Sequence, residues 1–297
     1  MTATVGQAMR AKIGVSAALS TPFGPGGAID WSRFAGHARH LLGQGMTVVT
    51  AFGTTGEGVS IPIAARHALY DEMNGHGVKA GQLVECVYGP SSADAGQHMR
   101  RSLDAGCGGI LLTPPHYFKQ PSEEGIYRWY AEAFETAGGA ARDVILYNIP
   151  SLTGVAIGPR LVSRLREAFP QVVAGVKDSS GDWAQTTALL ADHRDLAILV
   201  GHEGHLARAV REGASGAISG VANFAPALLA KLVAGEDDPR IDTVLETLLA
   251  LPVVPAIKAV LAAANDDPAW FAVRAPLEPV TDEADIAACA KLAALFA

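Results

Sequence analysis

Short apolar runs alternate with amphipathic helical segments along most of the chain, and this alternation constrains the fold more than any other feature. The runs predicted as strands are 13–20, 47–52, 82–88, 108–112, 143–147, 172–176, 196–200 and 215–219. Strands that alternate with helices are joined by right-handed crossovers into a parallel sheet. Eight strand–helix units before about residue 234 favour a closed barrel over an open doubly wound sheet. The predicted fold class is therefore α/β, a (β/α)8 TIM barrel.

The pattern changes after the segment Gly235-Glu-Asp-Asp-Pro239, beyond which the predicted elements are all helical. Helices are predicted at about 239–251, 253–264 and 282–296. These segments are too small to enclose a large core of their own. We therefore expect residues 1–234 to form the barrel with the catalytic site and residues 235–297 to form a C-terminal helical appendage.

Charge and cysteine content limit the partners and the compartment. The net charge of −7 and the pI near 5.7 argue against nucleic acid or an anionic membrane as the main partner. Cys86, Cys107 and Cys289 are scattered among apolar residues, which is typical of reduced thiols rather than of a disulfide framework. Residues 1–11 have no sustained apolar region of the signal-peptide kind, and the apolar stretch 244–263 is interrupted by charges and prolines. We expect a soluble, cytoplasmic protein.

A lysine follows the sixth predicted strand, in the segment Val172-Val-Ala-Gly-Val-Lys177-Asp-Ser-Ser-Gly181. Burial disfavours the charged form of a lysine and leaves more of the neutral amine, which is the nucleophile that attacks a carbonyl. Tyr147 ends the fifth strand, so the amine and the phenol can meet at the mouth of the barrel as a proton-transfer pair for an imine. The alternative is a lysine that extends from the strand end into solvent.

The loop after the second strand has the sequence Gly53-Thr-Thr-Gly-Glu-Gly58. Its backbone N–H groups lie just ahead of a predicted helix, and the hydroxyls of Thr54 and Thr55 lie beside them. Such a loop can bind a small anion such as a carboxylate. A purely structural turn is the alternative.

Three motifs follow strands two, five and six in order: Gly-Thr-Thr-Gly-Glu at 53–57, Tyr-Asn-Ile-Pro at 147–150 and Gly-Val-Lys-Asp-Ser-Ser-Gly-Asp at 175–182. With them the chain resembles the dihydrodipicolinate synthase / N-acetylneuraminate lyase superfamily, the class I pyruvate-dependent aldolases. Further matches are the segments at 21–23, 213–219 and 274–277. The resemblance spans almost the whole chain.

The resemblance implies catalytic roles. Lys177 would form a Schiff base with pyruvate or a related 2-oxo acid, and Tyr147 would relay protons. Thr54 would pass protons on to a tyrosine of a neighbouring subunit, a position that aligns with either Tyr117 or Phe118. The family further implies a homo-oligomer, a tetramer built from tight dimers. The cationic imine is itself the electron sink, so no metal or other cofactor is expected.

The resemblance also implies a set of substrate-binding residues. Thr55 and Gly53 would hold the carboxylate of the 2-oxo acid. Glu203, after strand seven, would bind a polyol or an ammonium group, and Ile218 on strand eight would contact the substrate. Ser179 would either contact the substrate or cap the helix that follows.

The chain departs from the family pattern at the residues that would bind the second substrate. Leu152 stands where the lysine-pathway synthases usually have an arginine that holds a carboxylate, a contact that a hydrocarbon cannot make. Lys119 or Arg160 would have to supply the missing cation. Gly220 replaces a serine of sialic acid lyases, which argues against sialic acid itself.

Two histidine pairs have less specific interpretations. His202 and His205 resemble part of a metal site, but their spacing differs from His-Glu-x-x-His and no third ligand is evident. His37 and His40 have helical i, i+3 spacing and are predicted on a surface face.

The function predicted from the sequence is a Schiff-base-forming lyase that acts on a 2-oxo acid and an aldehyde, by aldol addition or by cleavage of a 4-hydroxy-2-oxo acid or sugar acid. The alternatives are 4-hydroxy-tetrahydrodipicolinate synthase of lysine biosynthesis, a 2-keto-3-deoxy sugar acid dehydratase, and a non-catalytic sensor of 2-oxo acids.

Overall fold

The computed structural model describes residues 5–297. Residues 1–4, which belong to the predicted barrel domain and to the N-terminal segment 1–11, lie outside the described residues. Eight short strands fall within or next to the eight predicted runs. They are β1 Val15–Ala17, β2 Val49–Ala51, β3 Leu83–Val87, β4 Gly109–Leu112, β5 Val144–Asn148, β6 Val173–Asp178, β7 Ala197–Val200 and β8 Ala217–Ser219. All their residues except Val15 are buried, as expected for strands that are covered on both faces.

The strands close into a barrel. β2 to β7 pair in chain order as one parallel sheet, and β1 pairs in parallel with β8. Single bridges join the two groups, between Ala18 and Thr50 on one side and between Leu199 and Gly216 on the other. The predicted (β/α)8 TIM barrel is confirmed.

Helices follow each strand and continue after the barrel is complete. They are α1 Val5–Lys12, α2 Trp31–Gly43, α3 Ile63–His67, α4 Leu69–Gly75, α5 Ser92–Asp104, α6 Glu123–Ala137, α7 Pro150–Thr153, α8 Pro159–Ala168, α9 Trp183–Asp192, α10 Glu203–Arg211, α11 Pro226–Val233, α12 Arg240–Leu249, α13 Val253–Ala264 and α14 Glu283–Ala294. The helix predicted after the Gly53–Gly58 loop is divided between α3 and α4, and the sequence pattern did not predict α1 or α7.

Helix α1 closes the bottom of the barrel. Met9 and Ile13 are buried in the interior cluster that also contains Val84 and Ala174 of the strands. The contact is close at Gly6, where an added Cβ would lie 2.1 Å from the Asp195 carbonyl oxygen. Because this end is filled, a ligand can reach the interior only at the carboxyl ends of the strands.

The prediction of a surface position for His37 is wrong. Its side chain is only 8% exposed, and its Nε2 lies 2.9 Å from Asn223 Oδ1. Burial lowers the pKa of His37 to about 4. His40 is exposed, as expected. The i, i+3 spacing put the two histidines near one another on α2 but could not show which of them faces the core.

No single helix within residues 5–297 is long and apolar enough to cross a membrane. Helices α12 and α13 together would be long and apolar enough by length and composition only, and the chain bends by 120° between them. Most of α13 is buried against the rest of the protein.

Candidate active site

The pairing register of β5 and β6 brings the predicted lysine and tyrosine together. Tyr147 lies opposite Lys177, and Asn148 lies opposite Asp178. Side chains alternate between the two faces of a strand, so the first pair faces the barrel interior and the second pair faces the helices. There Asn148 donates a hydrogen bond of 2.8 Å to Asp178, which also accepts one of 2.7 Å from Thr186 of α9. This outer pair fixes the strand ends that carry the inner pair.

Lys177, Tyr147 and Thr54 form a continuous polar chain. Lys177 Nζ donates to Tyr147 Oη at 3.2 Å, and Tyr147 Oη lies 3.2 Å from Thr54 Oγ1. The lysine is 6% exposed and the tyrosine 2%, so the predicted solvent-facing alternative for Lys177 is wrong. A buried amine in contact with a phenol and a hydroxyl can exchange protons with a bound substrate.

The Gly53–Gly58 loop is a compact turn held by its own backbone. Gly58 N donates to the Gly53 carbonyl at 3.1 Å, and Glu57 N donates to the Thr54 carbonyl at 3.0 Å. Gly58 is required because a Cβ there would lie 1.8 Å from the Phe52 carbonyl oxygen. The helix expected after the loop is present, but a 3₁₀ turn, Gly58–Ser60, comes first and α3 begins only at Ile63. Any anion site here therefore depends on the loop itself rather than on an α-helix N-terminus.

Most of the predicted site residues line one cavity of about 500 Å³ at the carboxyl ends of the strands. Those that line it are Thr54, Thr55, Tyr147, Lys177, Ser179, Glu203 and Ile218. Gly53 is in the loop beneath the two threonines and is not part of the lining. Tyr117 lies elsewhere, with Phe118, beside a separate surface cavity of about 900 Å³.

Ser179 and Glu203 both line the cavity and are held by different neighbours. Ser179 fits only because residue 201 is glycine, where a Cβ would lie 2.0 Å from Ser179 Oγ. The helix-cap alternative for Ser179 is wrong, because Asp182 caps α9 by accepting from Ala184 N at 2.9 Å. Glu203 Oε1 accepts a hydrogen bond of 2.5 Å from Ser219 Oγ, which leaves its second oxygen for a ligand.

Neither cation considered as a replacement for the missing arginine lines the cavity. Lys119 Nζ donates to the His116 and Thr153 carbonyls at 2.6 and 3.2 Å. Arg160 is 83% exposed in its side chain and pairs with Glu123 at 3.3 Å. Leu152, at the position of the missing arginine, does line the cavity.

Gly220 borders the Gly53–Gly58 loop. A Cβ at this position would lie 3.0 Å from Thr55 Oγ1 and 2.8 Å from Ile257 Cδ1. A serine would therefore have to displace one of these side chains. The absence of a side chain at Gly220 keeps Thr55 next to the cavity.

The cavity also has an apolar wall that sequence reasoning missed. It is formed largely by the C-terminal helices and the turn between them, with Leu245, Leu248, Leu249, Val253 and Ile257. The one signal in the sequence was the run of apolar residues and prolines at 248–257, which is unusual for a turn between two helices. Its position over the barrel mouth depends on tertiary packing and could not be read from the sequence.

The two histidines after β7 contact each other and, among the described residues, are not part of a larger cluster of metal ligands. His202 and His205 stack with ring centroids 4.4 Å apart. Within residues 5–297, no group of three or more His, Cys, Asp or Glu side chains could hold a metal ion.

An amine, a phenol and a hydroxyl at the carboxyl ends of (β/α)8 strands define the active-site layout of a barrel enzyme. The model of the dihydrodipicolinate synthetase family matches residues 11–294, and the chain belongs to this family. The resemblance to the wider superfamily is thereby confirmed.

Individual relatives cover nearly the whole chain. An uncharacterized DapA-like lyase of Chloroflexus aurantiacus is 33% identical over 282 residues, which are 91% of this chain and 92% of the relative. The crystal structure of dihydrodipicolinate synthase from Agrobacterium tumefaciens is 44% identical, with a TM-score of 0.92, and covers 96% of this chain and 99% of that one. Ruminococcus gnavus sialic acid aldolase has a TM-score of 0.80 over 95% of this chain and 97% of its own, and at 23% identity it shares the fold alone.

Proposed function

We propose that the protein is a Schiff-base-forming lyase that uses pyruvate or a related 2-oxo acid. The neutral amine of Lys177 attacks the keto carbon, water leaves, and the cationic imine stabilises a carbanion at the adjacent carbon. That carbon then adds to an aldehyde, or in the reverse direction releases one. The observation that carries the proposal is the buried Lys177 Nζ at 3.2 Å from Tyr147 Oη. Membership of a family with lyases among its named members supports it.

Each predicted residue has a role in this scheme. Tyr147 moves protons to and from the oxygen that leaves as water, with Thr54 next in the chain. Thr55 and the backbone of the loop after Gly53 hold the carboxylate of the 2-oxo acid. Ser179, Glu203 and Ile218 contact the remainder of the substrate. The imine supplies the electron sink, so the scheme calls on no metal or other cofactor.

A second candidate is 4-hydroxy-tetrahydrodipicolinate synthase, which is favoured by the name of the 44% identical Agrobacterium structure. This reaction joins pyruvate to aspartate semialdehyde, whose carboxylate requires a cation. A coupled assay with these two compounds separates this candidate from other aldolases.

We also propose a homo-oligomer in the cytoplasm, a tetramer assembled from tight dimers. Tyr117 and Phe118 are 83% and 79% exposed, which supports their burial by a neighbouring subunit. Either residue is available for the inter-subunit position. The three cysteines are all buried and free, as expected in a reducing compartment.

Reductive trapping tests the central step. Incubation with pyruvate and borohydride, followed by digestion and mass spectrometry, is expected to place a reduced pyruvyl adduct on the peptide that contains Lys177. The adduct should be absent in Lys177→Ala and present in Lys291→Ala, a matched change at an exposed lysine. Absence of an adduct with pyruvate and with other 2-oxo acids would remove the proposal.

The Tyr147→Phe variant separates proton transfer from binding. It should still give the trapped adduct after long incubation, because Lys177 is retained. Its rate of adduct formation should fall by about 10²-fold or more, the usual contribution of a positioned acid–base group. A rate equal to that of the wild type would show that Tyr147 has no catalytic role.

A further inference from the structure

The active-site cavity has two walls of different chemistry. Its inner end carries the polar groups Lys177, Tyr147 and Thr55, where a 2-oxo acid would bind under the proposed function. A second part of the lining is mainly apolar and is formed by residues of α7, α12 and α13: Leu152, Leu245, Leu248, Leu249, Val253 and Ile257. Helix α7 also contributes Ser151.

The charges of the cavity do not suit an anionic second substrate. Among the lining residues that the structure describes, Lys177 is the only lysine or arginine, and its nitrogen would already be bonded to the 2-oxo acid. Glu203 is the only carboxylate in the lining. A substrate with a second carboxylate would bring it near Glu203 without a partner, and an unpaired charge is costly to remove from water.

The rim of the cavity exposes large apolar side chains. Leu152 is 61% exposed, Leu249 64% and Val253 40%, and all three line the cavity. Isolated exposed leucines are ordinary, but a cluster at the mouth of a site marks a surface that a ligand covers. The volume of about 500 Å³ is within the range of small-molecule sites and leaves room beyond a bound 2-oxo acid.

We propose that the second substrate is an uncharged aldehyde with an apolar tail, which contacts Leu152, Leu249 and Val253. This inference rests on the proposed Schiff-base chemistry. The carbon next to the imine attacks the aldehyde carbon to form the new C–C bond, and the aldehyde oxygen takes up a proton to become a hydroxyl. Water then hydrolyses the imine, releasing a 4-hydroxy-2-oxo acid and restoring the Lys177 amine. Glu203 lines the same cavity, and its second carboxylate oxygen would accept a hydrogen bond from the new hydroxyl.

A matched pair of aldehydes tests the substrate class. The probes are 4-methylpentanal and 4-oxobutanoate, which differ only in an isopropyl group in place of the carboxylate. Pyruvate trapping on Lys177 is measured first, so that the imine step is established independently of the aldehyde. The kcat/KM for the consumption of 4-methylpentanal with pyruvate is expected to exceed that for 4-oxobutanoate at least tenfold.

Two substitutions to arginine provide the control. Leu152→Arg puts a cation in the apolar wall and should reverse the preference in favour of 4-oxobutanoate. Leu295→Arg makes the same change at a leucine that is 40% exposed and does not line the cavity, and should leave the preference unchanged. The inference is overturned if pyruvate is trapped but 4-oxobutanoate is used equally well or better, or if neither aldehyde reacts. Failure to trap any 2-oxo acid would instead remove the proposed function on which it rests.

Discussion

His37 is a buried histidine whose Nε2 donates to Asn223 Oδ1 at 2.9 Å. Asn223 Nδ2 donates to the Ala18 and Gly220 carbonyls, both at 2.8 Å, which turns Asn223 Oδ1 toward His37 Nε2. The imidazole also packs edge-on against Trp270, with ring centroids 5.1 Å apart. A proton on the second ring nitrogen would add a charge in this apolar surrounding, which is why burial lowers the pKa to about 4.

The depressed pKa of His37 predicts a loss of stability in mild acid. Between its ordinary value of 6.5 and about 4, the unfolded chain binds the proton and the folded chain does not. Stability is therefore complete above 6.5 and falls as the pH is lowered through this window, by about 2 kcal/mol from pH 7.5 to pH 5. Urea unfolding at both pH values should show this extra loss in the wild type and not in His37→Gln. An equal loss in both proteins would contradict it.

At the scale of elements, a buried ion pair joins the C-terminal helices to the Gly53–Gly58 loop. Lys258 of α13 pairs with Glu57, and both side chains are fully buried. Lys258 also donates to the Ala272 carbonyl at 2.5 Å, and Glu57 accepts from Arg274 N at 2.7 Å. Glu57 directly follows the Gly53–Gly56 turn and has a left-handed backbone with φ 55°. A conformation of this kind needs surrounding contacts to hold it.

Removal of Lys258 should destabilise both parts of the molecule at once. Lys258→Met leaves the Glu57 carboxylate buried and unpaired, which costs about 3–5 kcal/mol, and Glu57→Gln added to it should recover part of the loss. Urea unfolding measures both changes. Lys231→Met is the control and should have a much smaller effect, because Lys231 is 53% exposed and Asp238 keeps its pair with Arg240 at 2.7 Å.

The same experiment bears on the domain boundary. We propose that residues 235–297 are an appendage that unfolds together with the barrel of residues 1–234, because Lys258 and Arg274 both bind the loop at 57–60. Tryptophan fluorescence and circular dichroism should therefore give one coincident transition. Two separate transitions would indicate an independent C-terminal unit.

The sequence predicted the elements well where the pattern is local. The eight strands are short apolar runs, and α13 begins and ends at the predicted residues, 253 and 264. Helix α1 was missed because Val5–Lys12 is a short segment of mixed small, apolar and charged residues, and the burial of Met9 depends on its packing inside the barrel. The apolar cavity wall was missed for the same reason, since the position of α12 and α13 over the mouth is a tertiary property.

The site could be predicted to a similar degree. Lys177 and Tyr147 follow from strand ends that must be neighbours, and the register places them directly opposite each other. Spacing alone could not show that Ser179 leaves the helix cap to Asp182, or that His37 faces inward. These outcomes depend on which neighbours pack against each residue, and that information is not local.

At the scale of the whole molecule, the described exposed apolar side chains other than Leu295 form two groups. Leu152, Leu249 and Val253 surround the active-site cavity. The second group is Val59, Ile63, Tyr117 and Phe118, which line the surface cavity of about 900 Å³. Since monomers rarely leave such contiguous apolar surface in water, this second group is the surface that we propose to be covered by another copy of the chain.

Substitution within the second group should therefore reduce the oligomer. Phe118→Asp places a charge where the proposed interface buries an aromatic ring, and analytical ultracentrifugation should show at least a twofold lower mass than for the wild type. Leu249→Asp introduces the same charge on the other apolar surface and should leave the mass unchanged, although it changes the cavity rim. A Phe118→Asp protein with the wild-type mass would contradict this assignment. A lower mass for Leu249→Asp alone would transfer the interface to the mouth of the active site.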